Sequence, residues 1–151
     1  MLVTLEQAKA QVRYGASYPE TKILIDLAAA EAKAQSFLNR RVFADQDALD
    51  AAIAAAPDAQ IVAGFTWMAG IDAASSVTDE AARAEMLDHV NAVYSAARAT
   101  ARQTYAGMVI NDEIRKAILV TFEQLFIGSL DTAMPAGAES LLWPYRVGLG
   151  V

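Results

Sequence analysis

The chain has 151 residues, a single-domain length that buries roughly 68–70% of its unfolded surface without needing a metal or a disulfide. It contains no cysteine, which excludes disulfide staples, thiolate metal sites and a cysteine nucleophile. A net charge of -6, from 12 Lys and Arg against 18 Asp and Glu, excludes a nucleic-acid grip built on clustered cations.

Thirty-three alanines against four prolines predict an all-α fold. The amino terminus, Met1-Leu2-Val3-Thr4-Leu5-Glu6, has no basic stretch followed by an apolar run, so no secretory signal is expected and the mature chain is expected to start at or near Met1. Thr4-Leu5-Glu6-Gln7 has capping-box spacing and predicts a short helix ending near Tyr14-Gly15, and Ser17-Tyr18-Pro19-Glu20 repeats the device. In the second helix Ile23, Leu24, Leu27, Ala30, Glu31, Ala34, Phe37 and Leu38 recur every three or four residues, forming one stripe that should stop near Asn39. Arg40 and Arg41 then read as cations meeting the negative pole of that helix.

Asp45 to Ala56 reads as a short helix, with Pro57 as a break or a new first turn, followed by Ile61, Phe65, Met68 and Ile71 at helical spacing. Asp45, Asp47 and Asp50 lack the Gly and Glu of a calcium loop and read as an acidic first turn. Ala59 to Ile71 is the longest uncharged interior window. It is expected to be too short, and at Gln60 and Thr66 too polar, to cross a bilayer, so a soluble protein without a membrane partner is expected. After a turn at Ser75-Ser76-Val77-Thr78, Thr78 with Asp79 and Glu80 should start a long helix with a seam of Met86, Leu87, Val90, Val93, Tyr94, Ala97 and Ala101. The two helices predict an antiparallel hairpin over 57–104. Ala63, Gly64, Gly70, Ala92, Ala96 and Ala99 would let its axes approach closely.

Asn111 with Asp112 and Glu113 marks the start of the most apolar helix, with Ile114, Ala117, Ile118, Thr121, Phe122 and Leu125 on one stripe and Leu119, Phe126 and Leu130 widening it. Beyond Gly128, residues 134–151 carry Pro135, Pro144 and three glycines between large apolar groups, which predicts an extended C-terminal arm. That arm either folds back onto its own domain or presents Leu, Trp, Tyr and Arg to another protein.

No catalytic constellation emerges. His89 is the only histidine, with Glu85 four residues earlier and Asp88 adjacent; it lacks the Glu-x-x-His pairs of a di-iron bundle and reads as a solvated or partner-facing side chain. Nucleophile elbows, His-Glu-x-x-His and glycine-rich phosphate loops are missing. Trp67, Phe65 and Met68 suit helix packing better than a ligand pocket, and Arg98 with Arg102 suits a solvated face better than DNA reading. No catalytic residue, metal ligand or cofactor is expected. The alternative reading is a helical-bundle enzyme or metal-binding protein using His89 and nearby carboxylates.

Three segments in order resemble tailed-phage and prophage head-tail connector proteins. They are Leu2-Val3-Thr4-Leu5-Glu6-Gln7-Ala8-Lys9 leading to Phe37-Leu38-Asn39-Arg40-Arg41-Val42-Phe43, the stretch from Tyr105 to Leu119, and Pro135 to Val147. Together they cover somewhat more than half of the chain. Many relatives join the second helix to the Asn111-type helix by a much shorter segment, so the hairpin is a departure; the end of the last helix, Phe122 to Ser129, is also less aromatic and less charged than is common. The resemblance implies a structural virion protein and not an enzyme: an adaptor in a single domain over 1–151, forming a homo-oligomeric ring, commonly a dodecamer, below the portal protein. Such a ring extends the DNA channel without sequence-specific DNA binding and offers a platform for a tail-side connector, stopper or tail terminator protein. It implies location at the head-tail interface of the virion, and in the host cytoplasm during assembly. It also implies that the C-terminal segment docks on the portal, with Leu141, Leu142, Trp143, Pro144, Tyr145, Arg146 and Val147 as the contact residues. On that reading, truncation after Gly137 should leave the chain folded.

Overall fold

A computed structural model describes residues 1–12, 19–128 and 133–148. The fold is an all-α small helical bundle: α1 (Leu5–Val12), α2 (Glu20–Leu38), α3 (Gln46–Ser75), α4 (Glu80–Tyr105), α5 (Asp112–Phe126) and α6 (Ala136–Leu142), with a 3-10 turn at Trp143–Tyr145. The expected end of α1 at Tyr14-Gly15, the cap at Ser17-Tyr18 and Leu130 lie outside the described residues. Two compact units arise, one formed by 1–48 with 107–151 and the other by 49–106, where the sequence suggested one domain with an insertion over 57–104.

In the first unit, local chemistry sets the helix ends. The Thr4 amide donates to Gln7 Oε1 at 3.0 Å and the Gln7 amide donates back to Thr4 Oγ1 at 3.2 Å, so each side chain satisfies an orphan donor of α1. Asn39 takes the left-handed conformation, φ 52°, and closes α2. Asn111 accepts from the Ile114 amide at 2.8 Å and opens α5, and Gly128, φ 84°, follows its end. The core forms where the stripes of α2 and α5 meet: Ile23, Leu27, Ala30, Ala34 and Leu38 pack with Ile114, Ala117, Ile118, Phe122 and Phe126. Glu31, counted in the α2 stripe, instead anchors the amino terminus, accepting from the amides of Leu2 at 2.6 Å and Val3 at 3.1 Å.

Two short strands, β1 (Val42–Phe43) and β2 (Met108–Val109), pair in parallel, Val42 with Met108 and Phe43 with Val109. Two residues carry no periodicity, so the pairing leaves no pattern in the sequence. Arg40 and Arg41 serve this region more than the pole of α2: Arg40 reaches Met108 Sδ at 3.4 Å and Arg41 lies 5.3 Å from the Phe43 ring centre.

The second unit is the helical hairpin. Trp67 stacks on Tyr94 with ring centres 5.5 Å apart and donates through Nε1 to Asn91 Oδ1 at 3.0 Å, while Gly70 faces Val90; rising numbers on α3 meet falling numbers on α4, so the pair is antiparallel. Pro57 does not break α3, which runs through it from Gln46 to Ser75. Alanine-rich flanks supply strong helix formers, and Pro57 itself is exposed, so the helix carries it on a face toward water. The continuous helix is longer than the Ala59–Ile71 window: among the described residues α3 is, by length and composition, long and apolar enough to cross a bilayer. Asp79, not Thr78, caps α4, accepting from the Ala82 amide at 2.8 Å.

Close approach within the hairpin rests on one glycine. A Cβ on Gly70 would lie 2.7 Å from Val90 Cγ2, whereas one on Gly64 would meet nothing within 4 Å. Ala92 and Ala96 are exposed, so the expected seam of small residues is only partly used.

Candidate functional site

Over residues 134–148 the C-terminal segment is neither an extended arm nor detached, and residues 149–151 lie outside the described residues. Pro135 precedes α6, where its missing donor costs nothing, and the helix turns Ala138 and Leu142 into the core against α5 and α2. Leu142 is fully buried, and Leu141, Tyr145 and Val147 are half-buried. Pro144 enters the 3-10 turn, a position that its fixed φ suits. Beyond it the Val147 amide donates to the Leu38 carbonyl at 3.0 Å, capping the C-terminal end of α2. The expected docking arm is therefore packed backbone. Proline and glycine content suggested extension because local preference cannot register the burial that α6 gains from α5.

What this segment offers outward is a cluster on the surface. Trp143 is 64% exposed, with its ring centre 6.3 Å from that of Phe37 on α2. The Arg146 guanidinium lies 5.0 Å from the Phe37 ring centre and 5.6 Å from that of Trp143. A cation over two aromatic faces is held by their quadrupoles, and among the described residues Arg146 is in no ion pair. The Tyr145 hydroxyl donates to Glu113 at the start of α5; that hydrogen bond, with burial as the second cause, raises the phenol above its usual range. Of the seven residues expected to dock, Trp143, Pro144 and Arg146 are exposed and Leu142 is withdrawn into the core. Phe37 is half-buried and packs against the core, as its place in the α2 stripe predicts, and its ring also meets Trp143 and Arg146.

In the hairpin, a groove of about 290 Å³ lies between α3 and α4, lined by Ala63, Thr66, Trp67, Gly70, His89, Val90, Val93 and Tyr94. His89 thus sits at the edge of an apolar groove, and among the described residues no three His, Asp or Glu side chains converge as metal ligands. On the opposite side of α3, Ile61, Phe65 and Met68 are 56%, 68% and 56% exposed. The sequence marked Trp67, Phe65 and Met68 as helix packing; Trp67 does pack on Tyr94, whereas Phe65 and Met68 lie with Ile61 on an open apolar ridge.

No protein-family model matches the chain, and no curated protein or solved structure matches it either.

Proposed function

We propose that this chain is a structural virion protein, a head-tail connector that assembles as a ring below the portal, continues the DNA channel and presents a platform to the next tail component. The observation that carries the reading is the Trp143, Arg146 and Phe37 cluster, a preformed surface of the residue types that dominate interface hot spots, held in place by the buried Leu142 behind it. Support also comes from the three resembling segments and from a hairpin whose apolar ridge is uncovered in the single chain. The acidic balance suits a channel component past which DNA moves without being gripped.

Docking on this reading uses a rigid surface, so little chain entropy is lost when the portal binds. The test is capture of the purified chain by assembled portal rings from the phage or prophage that encodes it. Trp143→Ala should weaken capture by about 2 kcal/mol or more, roughly 30-fold, while the helical signal stays unchanged. Wild-type chain that the rings do not retain, or equal retention of the variant, overturns the proposal.

A further inference from the structure

α3 is apolar on two sides, and one of them is open. Trp67 and Gly70 face Tyr94 and Val90 of α4, while Ile61, Phe65 and Met68 lie roughly opposite and are exposed. A helix apolar all round is normally buried. With the adjacent Val62, the ridge exposes roughly 500 Å² of apolar side chain, within the about 300–600 Å² of the largest patch on a typical monomer. That is more than half of the about 800 Å² each partner contributes to a standard interface.

Spacing sets the shape of what can cover it. Asp58, Ile61, Phe65, Met68 and Asp72 follow one another at alternating intervals of three and four, the heptad spacing of a seam that a single facing helix buries. From aspartate to aspartate the seam is about 21 Å long. Both ends carry the same charge, so a partner helix meets the same pattern in either direction.

Charge then sets what that helix must carry. All of α3 holds four aspartates and no lysine or arginine, and among the described residues neither Asp58 nor Asp72 is in an ion pair. The whole hairpin unit holds seven carboxylates against three arginines. A second copy is disfavoured on both of its hairpin faces: ridge on ridge sets aspartate against aspartate, and the groove has Glu85 and Asp88 beside it at His89. An anionic lipid surface meets the same negative charge. A bilayer interior would have to take α3 together with the Glu85, Asp88, Arg98 and Arg102 of the α4 packed along it. A helix with an apolar middle and a cation at each end of its seam meets none of these penalties.

We propose that the ridge docks a basic amphipathic helix of another protein, with its apolar seam on Ile61, Phe65 and Met68 and its Lys or Arg side chains, fourteen positions apart, on Asp58 and Asp72. Apolar burial supplies the affinity, and the two carboxylates select the partner and fix its register. The site lies wholly in the hairpin and does not depend on the Trp143 surface.

Fluorescence anisotropy with the full chain tests it, using a labelled, alanine-rich helical peptide of about 18 residues that carries leucines at the seam spacing and two arginines fourteen positions apart. A second peptide has glutamate in place of both arginines. In about 0.1 M salt, where the screening length is about 10 Å, wild type should bind the basic peptide at least tenfold more tightly than the acidic one. Asp58→Arg with Asp72→Arg should reverse that order, and Phe65→Ala with Met68→Ala should weaken the basic peptide at least tenfold. All four side chains are exposed, so the helical signal should be unchanged in both variants. No binding of the basic peptide, equal binding of the two peptides, an unreversed order in the arginine variant or full binding by the alanine variant overturns the proposal. So does self-association of wild type, or its flotation with phospholipid vesicles, that the alanine variant abolishes. Failure to bind portal rings with this pattern intact would refute the connector reading and leave the helix-docking ridge standing.

Discussion

Replacing Leu142 by alanine removes a fully buried side chain from the layer that α6 forms against α5 and α2. At about 0.8 kcal/mol per buried methylene, the lost transfer energy is roughly 2 kcal/mol. The cavity left between α6 and α5 adds to this, because the flanking helices are fixed by their own caps and close only in part, which brings the expected cost to about 3–4 kcal/mol. For a chain of this length that lowers the thermal midpoint by roughly 6–16 °C. A circular-dichroism melt provides the first reading, and hydrogen exchange at the α5 amides reads the affected unit directly. Trp143→Ala is the control, since that side chain is mostly in water and its loss should cost about 1 kcal/mol or less. If Leu142→Ala melts within 2 °C of wild type and α5 exchanges no faster, the C-terminal segment is not core and the structural argument for it fails. The same logic reverses the expectation for truncation after Gly137, which removes Ala138 and Leu142 together and should unfold this unit.

Two further outcomes follow from the geometry. Gly64→Ala should stabilise the hairpin by about 0.5–1 kcal/mol through helix propensity, because the new methyl group meets open space. Gly70→Ala should destabilise it by about 1–3 kcal/mol, because the Cβ would press on both Val90 methyl groups; parallel urea titrations compare the two, and equal effects would refute the close approach. Tyr145 has its phenol raised in the folded chain by the hydrogen bond to Glu113. The stabilisation is therefore fully present below the ordinary tyrosine value of 10.0 and is lost as pH rises through the higher folded value. Stability titrated from pH 9 upward should fall faster for wild type than for Tyr145→Phe, and parallel curves would remove that contact.

The residues of the outward cluster were legible in the sequence as types, since Trp143 and Arg146 stand out in a stretch with two prolines. Their arrangement was not, because Phe37 is more than a hundred positions away and reaches them only through the packing of α2 beside α6. The ridge shows the converse. Ile61, Phe65 and Met68 have the spacing of a packed stripe, and nothing local distinguishes a stripe with a partner in the same chain from one without.

What the sequence alone determined are the features made by neighbours a few positions apart: the reciprocal cap of Thr4 and Gln7, the cap at Asn111, the stop at Asn39 and the stripes of α2 and α5. Each depends on a hydrogen bond or a periodicity that closes within one or two helical turns. Tertiary structure decided the rest. Whether α3 passes through Pro57, whether residues 136–147 extend or pack, and which side of the hairpin stays open depend on the apolar area gained when distant surfaces meet, and that burial outweighs local preference.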